Sequence, residues 1–157
     1  KEPNWSINRL RTFLFEGYLG DIIGNPLKKG IAEGELLISN LTIFCFLIGT
    51  NDMPNCEGKI IIFEDVNEDI YKIDRMFTYI RMTQVLKNIV GIGFGNFFDP
   101  KRTDKIELLE NLIFDRFAEF NIPIISNLPV GHLTGNACLP YGYSGILNGN
   151  IGKLSIN

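Results

Sequence analysis

The 157-residue chain has few of the side chains that most metal and redox sites use. It contains a single histidine, His132, which excludes sites that need two imidazoles, such as HExxH zinc sites. The three cysteines, Cys45, Cys56 and Cys138, have no CxxC spacing and are odd in number, which favours free thiols in a reducing compartment. A cysteine nucleophile paired with His132 stays open as an alternative, although no local motif supports it.

Long apolar runs and an excess of basic residues are also lacking. The longest apolar run, at 41–48, is interrupted by Thr42 and falls short of the ~18 residues that a bilayer span needs, so no membrane partner is expected. A net charge of −3 without a basic stripe argues against nucleic acid as the main partner. The hydrophobic fraction of 45% excludes disorder and predicts one globular domain.

The N-terminal segment is interpreted from its first residues and from the positions of its glycines and proline. The chain begins at Lys1 without Met, a basic stretch or an apolar run, so we expect a processed chain or a piece of a longer protein, with no signal peptide. Glycines and a proline recur within residues 1–33, which favours short strands and turns over a long helix. We interpret residues 1–30 as a linker or leading segment.

Buried strands alternate with amphipathic helices in the middle of the chain, and this order predicts an α/β fold with a parallel βαβαβ core. A short β tail follows, and a short strand and a helix capped by Asn40 precede the core. The predicted core elements are strands at 59–63, 89–94 and 123–126 and helices at 70–87 and after a turn at 100–103, the second capped by Asp104. The predicted flanking strands are 34–38, 142–147 and 153–156.

Two polar side chains follow strands of this predicted core. Glu64 ends the strand 59–63, and His132 lies in the loop after the strand 123–126. Because the carboxyl ends of parallel strands meet at one edge, we expect the two side chains to lie together. In a nucleophilic triad a carboxylate orients the imidazole, which takes the nucleophile's proton. The alternatives are a solvated loop histidine and a glutamate that caps the next helix.

The acidic residues after Glu64 have a simpler interpretation. Asp65, Glu68 and Asp69 are interpreted as helix-start charges, favourable near the positive end of a helix dipole. The carboxylates at 64–69 are a candidate for a hard cation, but they lack the glycine and distal glutamate of an EF-hand loop.

Two motifs resemble known signatures only in part. Ser144 lies in Gly142-Tyr143-Ser144-Gly145, which lacks the final glycine of a nucleophile elbow. The glycine-rich run at 91–96 has Asn96 in place of the third glycine of a dinucleotide fingerprint, and no helix follows it. We interpret these glycines as positions where another backbone approaches closely.

Taken in order, the motifs resemble the C-terminal domain of the LD-carboxypeptidase family. These serine peptidases include murein tetrapeptide carboxypeptidases and microcin C immunity peptidases. The resemblance runs from about residue 30 to near the end of the chain. The matching blocks are 34–42, 47–50, FEDVNE at 63–68, YKIDRM at 71–76, 91–97, PI at 123–124, GH at 131–132 with Asn136, and LPYG at 139–142.

The resemblance implies a swivelling-type β/β/α domain and a Ser-His-Glu peptidase in which Glu64 is the triad glutamate and His132 the base. It implies that the serine and the oxyanion-hole amides belong to an N-terminal nucleophile domain, which these residues do not include. The implied activity is removal of terminal D-Ala from murein tetrapeptide, in the bacterial cytoplasm during cell-wall recycling. The resemblance implies no metal or cofactor, and a homodimer formed through this domain.

One departure from the family pattern concerns the residues before Asn40, where Ile38-Ser39 replace a glycine pair. Their loss puts the local turn and the substrate-side geometry in doubt. Two alternatives to the murein peptidase stay open. One is an immunity-type peptidase that cleaves a peptidyl nucleotide, and the other is a non-catalytic dimerisation domain of the same fold.

Overall fold

The computed structural model describes residues 1–98 and 105–157, which form four helices and eight strands. The predicted turn at 100–103 and the predicted cap Asp104 lie outside the described residues. Within the described ranges, no helix combines the length and apolarity needed to cross a membrane. The helices are α1 (Asn4–Glu16), α2 (Leu41–Leu47), α3 (Ile70–Thr83) and α4 (Lys105–Phe117). The strands are β1 (Ile22–Ile23), β2 (Asn25–Lys28), β3 (Ile31–Asn40), β4 (Lys59–Val66), β5 (Gly91–Phe98), β6 (Ile124–Ser126), β7 (Ser144–Asn148) and β8 (Lys153–Ile156).

The strands form one mixed sheet in the order β1-β8-β7-β3-β4-β5-β6-β2. The central strands β3, β4, β5 and β6 are parallel, and the flanking strands pair antiparallel. The predicted α/β fold, with its βαβαβ core and short β tail, is therefore confirmed. The short strand predicted at 34–38 is a ten-residue strand, β3, that lies beside β4 in the parallel core.

The buried strand β4 contributes side chains to a different hydrophobic cluster on each face of the sheet. Successive strand residues point to opposite faces, and Ile61 and Phe63 pack in the cluster that includes residues of α2, α3 and α4. Aromatic rings fill the centre of this cluster, with Phe77 5.4 Å from Phe94 and 5.1 Å from Phe117 between ring centroids. Edge-to-face packing of this kind adds to the stabilisation that burial alone provides.

The opposite face of the sheet is covered by a loop. Ile60 and Ile62 of β4 pack there with Leu128 and Val130, which belong to the segment between β6 and β7. Burying these two loop side chains anchors the segment on the sheet. The position of His132, two residues beyond Val130, is thus tied to the core.

The sequence predicts short strands and turns for residues 1–33. This prediction was wrong for the first residues of the segment and right for those that follow. Asn4–Glu16 form the 13-residue helix α1, whereas 22–28 form the short strands β1 and β2. The 13 residues of α1 contain no glycine or proline, so nothing within them breaks a helix. The helix ends at Gly17, whose φ of +70° and N–H bond to the carbonyl of Phe13 make a left-handed cap.

Three elements also differ from prediction in where they begin or end. β4 continues beyond Phe63 to Val66 and so includes both Glu64 and Asp65. β5 begins at Gly91 and continues to Phe98, while α3 ends at Thr83 because Gln84 adopts a left-handed φ of +55°. The sequence predicts that β4 ends at Phe63 because polar residues follow it. The strand that pairs with those residues, β5, is distant in sequence, so no local pattern shows the pairing.

Candidate active site

Glu64 lies near the carboxyl end of β4, where the pairing with β5 shifts register. Phe63 pairs with Phe94 but Asp65 pairs with Phe97, so β5 has one extra residue opposite Glu64. Irregularities of this kind re-aim side chains next to functional sites. The glutamate is buried, and its carboxylate reaches the loop that follows β6.

His132 lies in that loop, and the structure brings it together with Glu64. The imidazole Nδ1 lies 2.7 Å from Glu64 Oε2, although the two residues are 68 positions apart. The histidine side chain is 53% exposed, whereas that of Glu64 is 10% exposed. One edge of the imidazole is therefore held against a buried carboxylate while the ring stays open to solvent.

This pairing assigns different tasks to the two ring nitrogens. A carboxylate accepts hydrogen bonds, so Nδ1 carries the proton that is donated to Glu64. The neutral ring then has a lone pair on Nε2, available to accept a proton from a group outside the pair. A carboxylate-oriented imidazole with a free Nε2 is the base arrangement of a nucleophilic triad.

Asn40 holds the second oxygen of Glu64. Its amide nitrogen lies 3.2 Å from Glu64 Oε1 and 3.0 Å from Asp65 Oδ1. Its amide oxygen accepts from the backbone N–H of Ile43 at 3.1 Å, which caps α2 as predicted. One side chain therefore connects the glutamate, its neighbour on β4 and the start of α2.

Asp65 has a different role from the helix-start charge that the sequence predicts. It is buried, and its Oδ2 accepts from the backbone N–H and the hydroxyl of Thr42 at 3.0 and 2.8 Å. Its Oδ1 also accepts from the N–H of Val66 at 2.8 Å. The Asp65 carboxylate, one of those at 64–69 considered as ligands for a hard cation, is therefore occupied by protein donors. Asp65 therefore ties β4 to the first turn of α2.

The residues before Asn40 continue the strand in spite of the altered family pattern. Ile38 and Ser39 lie in β3 in parallel register with Ile62 and Phe63. Ile38 packs against the cluster on the loop-covered face. The side chains of Ile38 and Ser39 are therefore accommodated in a regular strand.

Gly131 lets the loop backbone pass beside Glu64. Its φ is +135°, and a Cβ built on it lies 3.2 Å from Glu64 Oε2 and 3.1 Å from the carbonyl oxygen of Asn96. Its N–H donates to Oδ1 of Asn136 at 3.1 Å. The residue preceding His132 is thus a glycine for both conformational and steric reasons.

Gly95 confirms the interpretation of the glycine-rich strand as a site of close backbone approach. A Cβ on Gly95 lies only 2.4 Å from the carbonyl oxygen of Val130. That oxygen accepts from the N–H of Asn96 at 2.6 Å, so the loop hydrogen-bonds to β5 just before His132. The glycine makes room for this bond.

The other nucleophile candidates are not joined to the pair. Among the described residues, neither Glu64 nor His132 is hydrogen-bonded to a serine hydroxyl, and Ser144 lies exposed in β7. The three cysteines are free thiols, as predicted. Burial raises the pKa of Cys45 to about 12, so that thiol is protonated near neutral pH and is a poor nucleophile.

Residues 33–147 match the family model described as the LD-carboxypeptidase C-terminal domain. The chain belongs to the LD-carboxypeptidase family. A putative carboxypeptidase of Synechocystis sp. is 37% identical over 156 residues, which cover 98% of the chain and 52% of the relative. The murein tetrapeptide carboxypeptidase of Pseudomonas aeruginosa is 30% identical over 123 residues, or 78% of the chain and 40% of that relative.

Solved structures give the same fold. A muramoyltetrapeptide carboxypeptidase from Oxalobacter formigenes superposes with a TM-score of 0.84 at 24% identity, over 98% of the chain and 54% of that protein. The chain thus spans about half the length of the LD-carboxypeptidases that it matches.

Proposed function

We propose that the chain supplies the histidine and glutamate of a Ser-His-Glu triad in a murein tetrapeptide carboxypeptidase that releases terminal D-Ala. The 2.7 Å contact between Glu64 Oε2 and His132 Nδ1 carries the proposal, because it leaves Nε2 free on a ring open to solvent. Relatives named as murein peptide carboxypeptidases support the choice of substrate.

In this mechanism a serine hydroxyl attacks the amide carbonyl that precedes the terminal D-Ala. His132 Nε2 takes the hydroxyl proton and then gives it to the departing amine of D-Ala. Water next attacks the acyl-enzyme with His132 again as base, which frees the shortened peptide and restores the serine. Glu64 holds the ring and stabilises the imidazolium that forms in both steps.

The proposed serine lies in a nucleophile domain outside these 157 residues. The chain covers 52% and 40% of the lengths of the Synechocystis and Pseudomonas relatives, which leaves room for such a domain. Ser144, exposed in β7, has none of the contacts expected of a nucleophile bonded to its base. We therefore expect the 157 residues alone to release no D-Ala, while the full-length protein does so.

The deciding experiment compares His132→Ala with the parent full-length protein on murein tetrapeptide, with D-Ala release as the measurement. We expect kcat to fall by at least about 10³-fold, because loss of a triad member removes both proton transfers. Ser144→Ala is the control and should keep the parental rate. A His132→Ala protein with more than about a tenth of the parental kcat would show that His132 is not the base.

The same assay separates the alternatives. A full-length protein that cleaves a peptidyl nucleotide but not murein tetrapeptide is an immunity-type peptidase that uses the same pair. A protein that cleaves neither supports the non-catalytic dimerisation domain. The proposal also includes a homodimer in the bacterial cytoplasm, which sedimentation and cell fractionation test.

A further inference from the structure

Helix α1 contacts the loop of His132 through one face. The contacting residues are Glu2, just before the helix, and Trp5, Ser6 and Arg9 within it, a spacing that places them on the same side. Every residue of α1 keeps some exposure, so the helix is not held by a deeply buried apolar stripe. Its attachment to the loop is mainly polar.

The polar contacts fall on backbone groups of three neighbouring loop residues. Glu2 Oε2 accepts from the N–H of Gly135 at 2.9 Å, and Ser6 Oγ donates to the carbonyl oxygen of Asn136 at 2.6 Å. Arg9 Nε donates to the carbonyl oxygen of Cys138 at 3.1 Å. Glu2 and two residues of α1 thus hold Gly135, Asn136 and Cys138.

The loop in turn is shaped to receive the helix. Gly135 has a φ of +89°, and a Cβ on it lies 3.0 Å from the indole of Trp5. Arg9 Nη1 also donates to the carbonyl oxygen of Gly20 at 2.5 Å, and burial lowers the pKa of its guanidinium. A desolvated cation that bridges two backbone segments is costly to leave without its acceptors.

Asn136 connects the helix to the catalytic pair. Its backbone carbonyl oxygen accepts from Ser6, and its side-chain Oδ1 accepts from the N–H of Gly131 at 3.1 Å. Gly131 is bonded covalently to His132, whose ring is anchored on Glu64. The path from α1 to the imidazole therefore passes through two hydrogen bonds and one peptide unit.

We infer that α1 is a positioning element of the active site, which acts through Ser6 and Asn136 to keep His132 Nδ1 on Glu64. The inference rests on the proposed function for its effect on catalysis. A half-exposed histidine can gain rotamer entropy by leaving a single hydrogen bond. Fixing the backbone at Gly131 and Asn136 restricts the directions in which the ring can turn away.

The single histidine of the 157-residue chain makes the direct test unambiguous, because nitrogen NMR reports one imidazole only. In alkaline buffer the parent chain should show the Nδ1–H tautomer with a slowly exchanging proton. Ser6→Ala and Asn136→Ala should lose that slow proton and shift towards a mixture of tautomers. The matched controls are Ser144→Ala and Asn51→Ala, both at exposed positions, and they should keep the parental spectrum.

The second readout is kinetic and uses the full-length enzyme. Ser6→Ala and Asn136→Ala should each lower kcat about 10- to 100-fold with little change in KM, because a misplaced base stabilises the transition state less but leaves substrate binding unchanged. Ser6→Thr keeps the hydroxyl and should restore both the spectrum and kcat. Circular dichroism and urea unfolding identify any variant that loses the fold. The rescue by Ser6→Thr then shows whether the hydroxyl of Ser6 itself positions His132.

The two proposals fail separately. Parental tautomer and kcat in folded Ser6→Ala and Asn136→Ala proteins, or failure of Ser6→Thr to restore them, overturn the role of α1. A tautomer shift in these variants, combined with an active His132→Ala enzyme, overturns the triad but leaves α1 as the element that positions the ring.

Discussion

Asn40 donates its amide hydrogens towards Glu64 Oε1, 3.2 Å away, while its amide oxygen caps the first turn of α2. Glu64 therefore has a partner on each carboxylate oxygen, His132 on Oε2 and Asn40 on Oε1. A carboxylate held at both oxygens cannot rotate without breaking a bond. The orientation of the imidazole thus depends on the junction between β3 and α2.

Two substitutions of Asn40 should separate its role as the cap of α2 from its role as the hydrogen-bond donor to Glu64. Asn40→Ala removes both, and we expect a loss of about 1 kcal/mol in unfolding free energy together with a 10- to 100-fold drop in kcat. Asn40→Asp keeps an oxygen for the N–H of Ile43 but loses the donor and adds a charge beside Glu64 and Asp65. Its kcat should fall at least as far as that of Asn40→Ala.

The measurements are D-Ala release by the full-length enzyme and urea unfolding of the same proteins. Asn51→Ala, in the exposed turn after α2, is the control for removing an asparagine and should change neither quantity. A parental kcat in Asn40→Asp would show that the amide donor does not orient Glu64.

The carboxylate of Glu64 should be needed for catalysis more than for folding. Glu64→Gln keeps the shape of the side chain but removes the charge that stabilises the imidazolium, so kcat should fall by about 10³- to 10⁴-fold. KM should change little, because the interaction strengthens only as charge develops on the ring.

Steady-state kinetics of the full-length protein tests this, with Glu16→Gln at the exposed end of α1 as the matched control. The triad assignment would be contradicted by a Glu64→Gln enzyme within about tenfold of the parental kcat.

The proximity of Glu64 and His132 could be predicted because it depends only on the order of the elements. Parallel strands place their carboxyl ends at one edge, and buried apolar runs at 59–63 and 123–126 identify two such strands. The length of β3 could not be read in the same way, since its polar positions conceal a ten-residue strand. Without β3 beside β4, nothing in the sequence brings Asn40 to Glu64.

The partners of Asp65 and the helix α1 were missed for related reasons. Asp65 lies only three positions before Glu68, so the local pattern assigns it to the start of α3, whereas parallel pairing of β3 with β4 brings it to Thr42. Helix α1 lacks a side-chain cap and leaves its apolar residues partly exposed. Its hydrogen bonds from Ser6 and Arg9 to the His132 loop join residues about 130 positions apart, beyond the reach of any periodic signal.

Gly131 should not tolerate a side chain. In Gly131→Ala the Cβ meets Glu64 Oε2 and the carbonyl of Asn96, and a φ of +135° is strained for alanine. We expect a stability loss of about 1–3 kcal/mol and a kcat reduced at least tenfold, because the loop must move His132 away from Glu64.

Two glycines separate the causes of that loss. Gly49 has a φ of +87° and open space around it, so Gly49→Ala tests backbone strain alone, while Gly20→Ala meets neither strain nor neighbours. Urea unfolding and kinetics should show reduced stability without reduced kcat in Gly49→Ala, and no change in Gly20→Ala. Equal kcat in Gly131→Ala and Gly49→Ala would contradict the steric role of Gly131.

Phe77 should contribute strongly to stability because it is fully buried between Phe94 of β5 and Phe117 of α4. Phe77→Ala leaves a cavity between sheet and helices, and we expect a loss of about 3–5 kcal/mol in unfolding free energy. Urea unfolding of the 157-residue chain, followed by circular dichroism, measures it.

Phe46 provides the matched control, since it is also a phenylalanine on a helix of this face but is 73% exposed. Phe46→Ala should change the unfolding free energy by no more than about 0.5 kcal/mol. If both substitutions cost the same, burial in the aromatic cluster does not explain the contribution of Phe77. If only Phe77→Ala unfolds easily, the packing of α3 and α4 on β5 holds the parallel core on which Glu64 and the His132 loop are mounted.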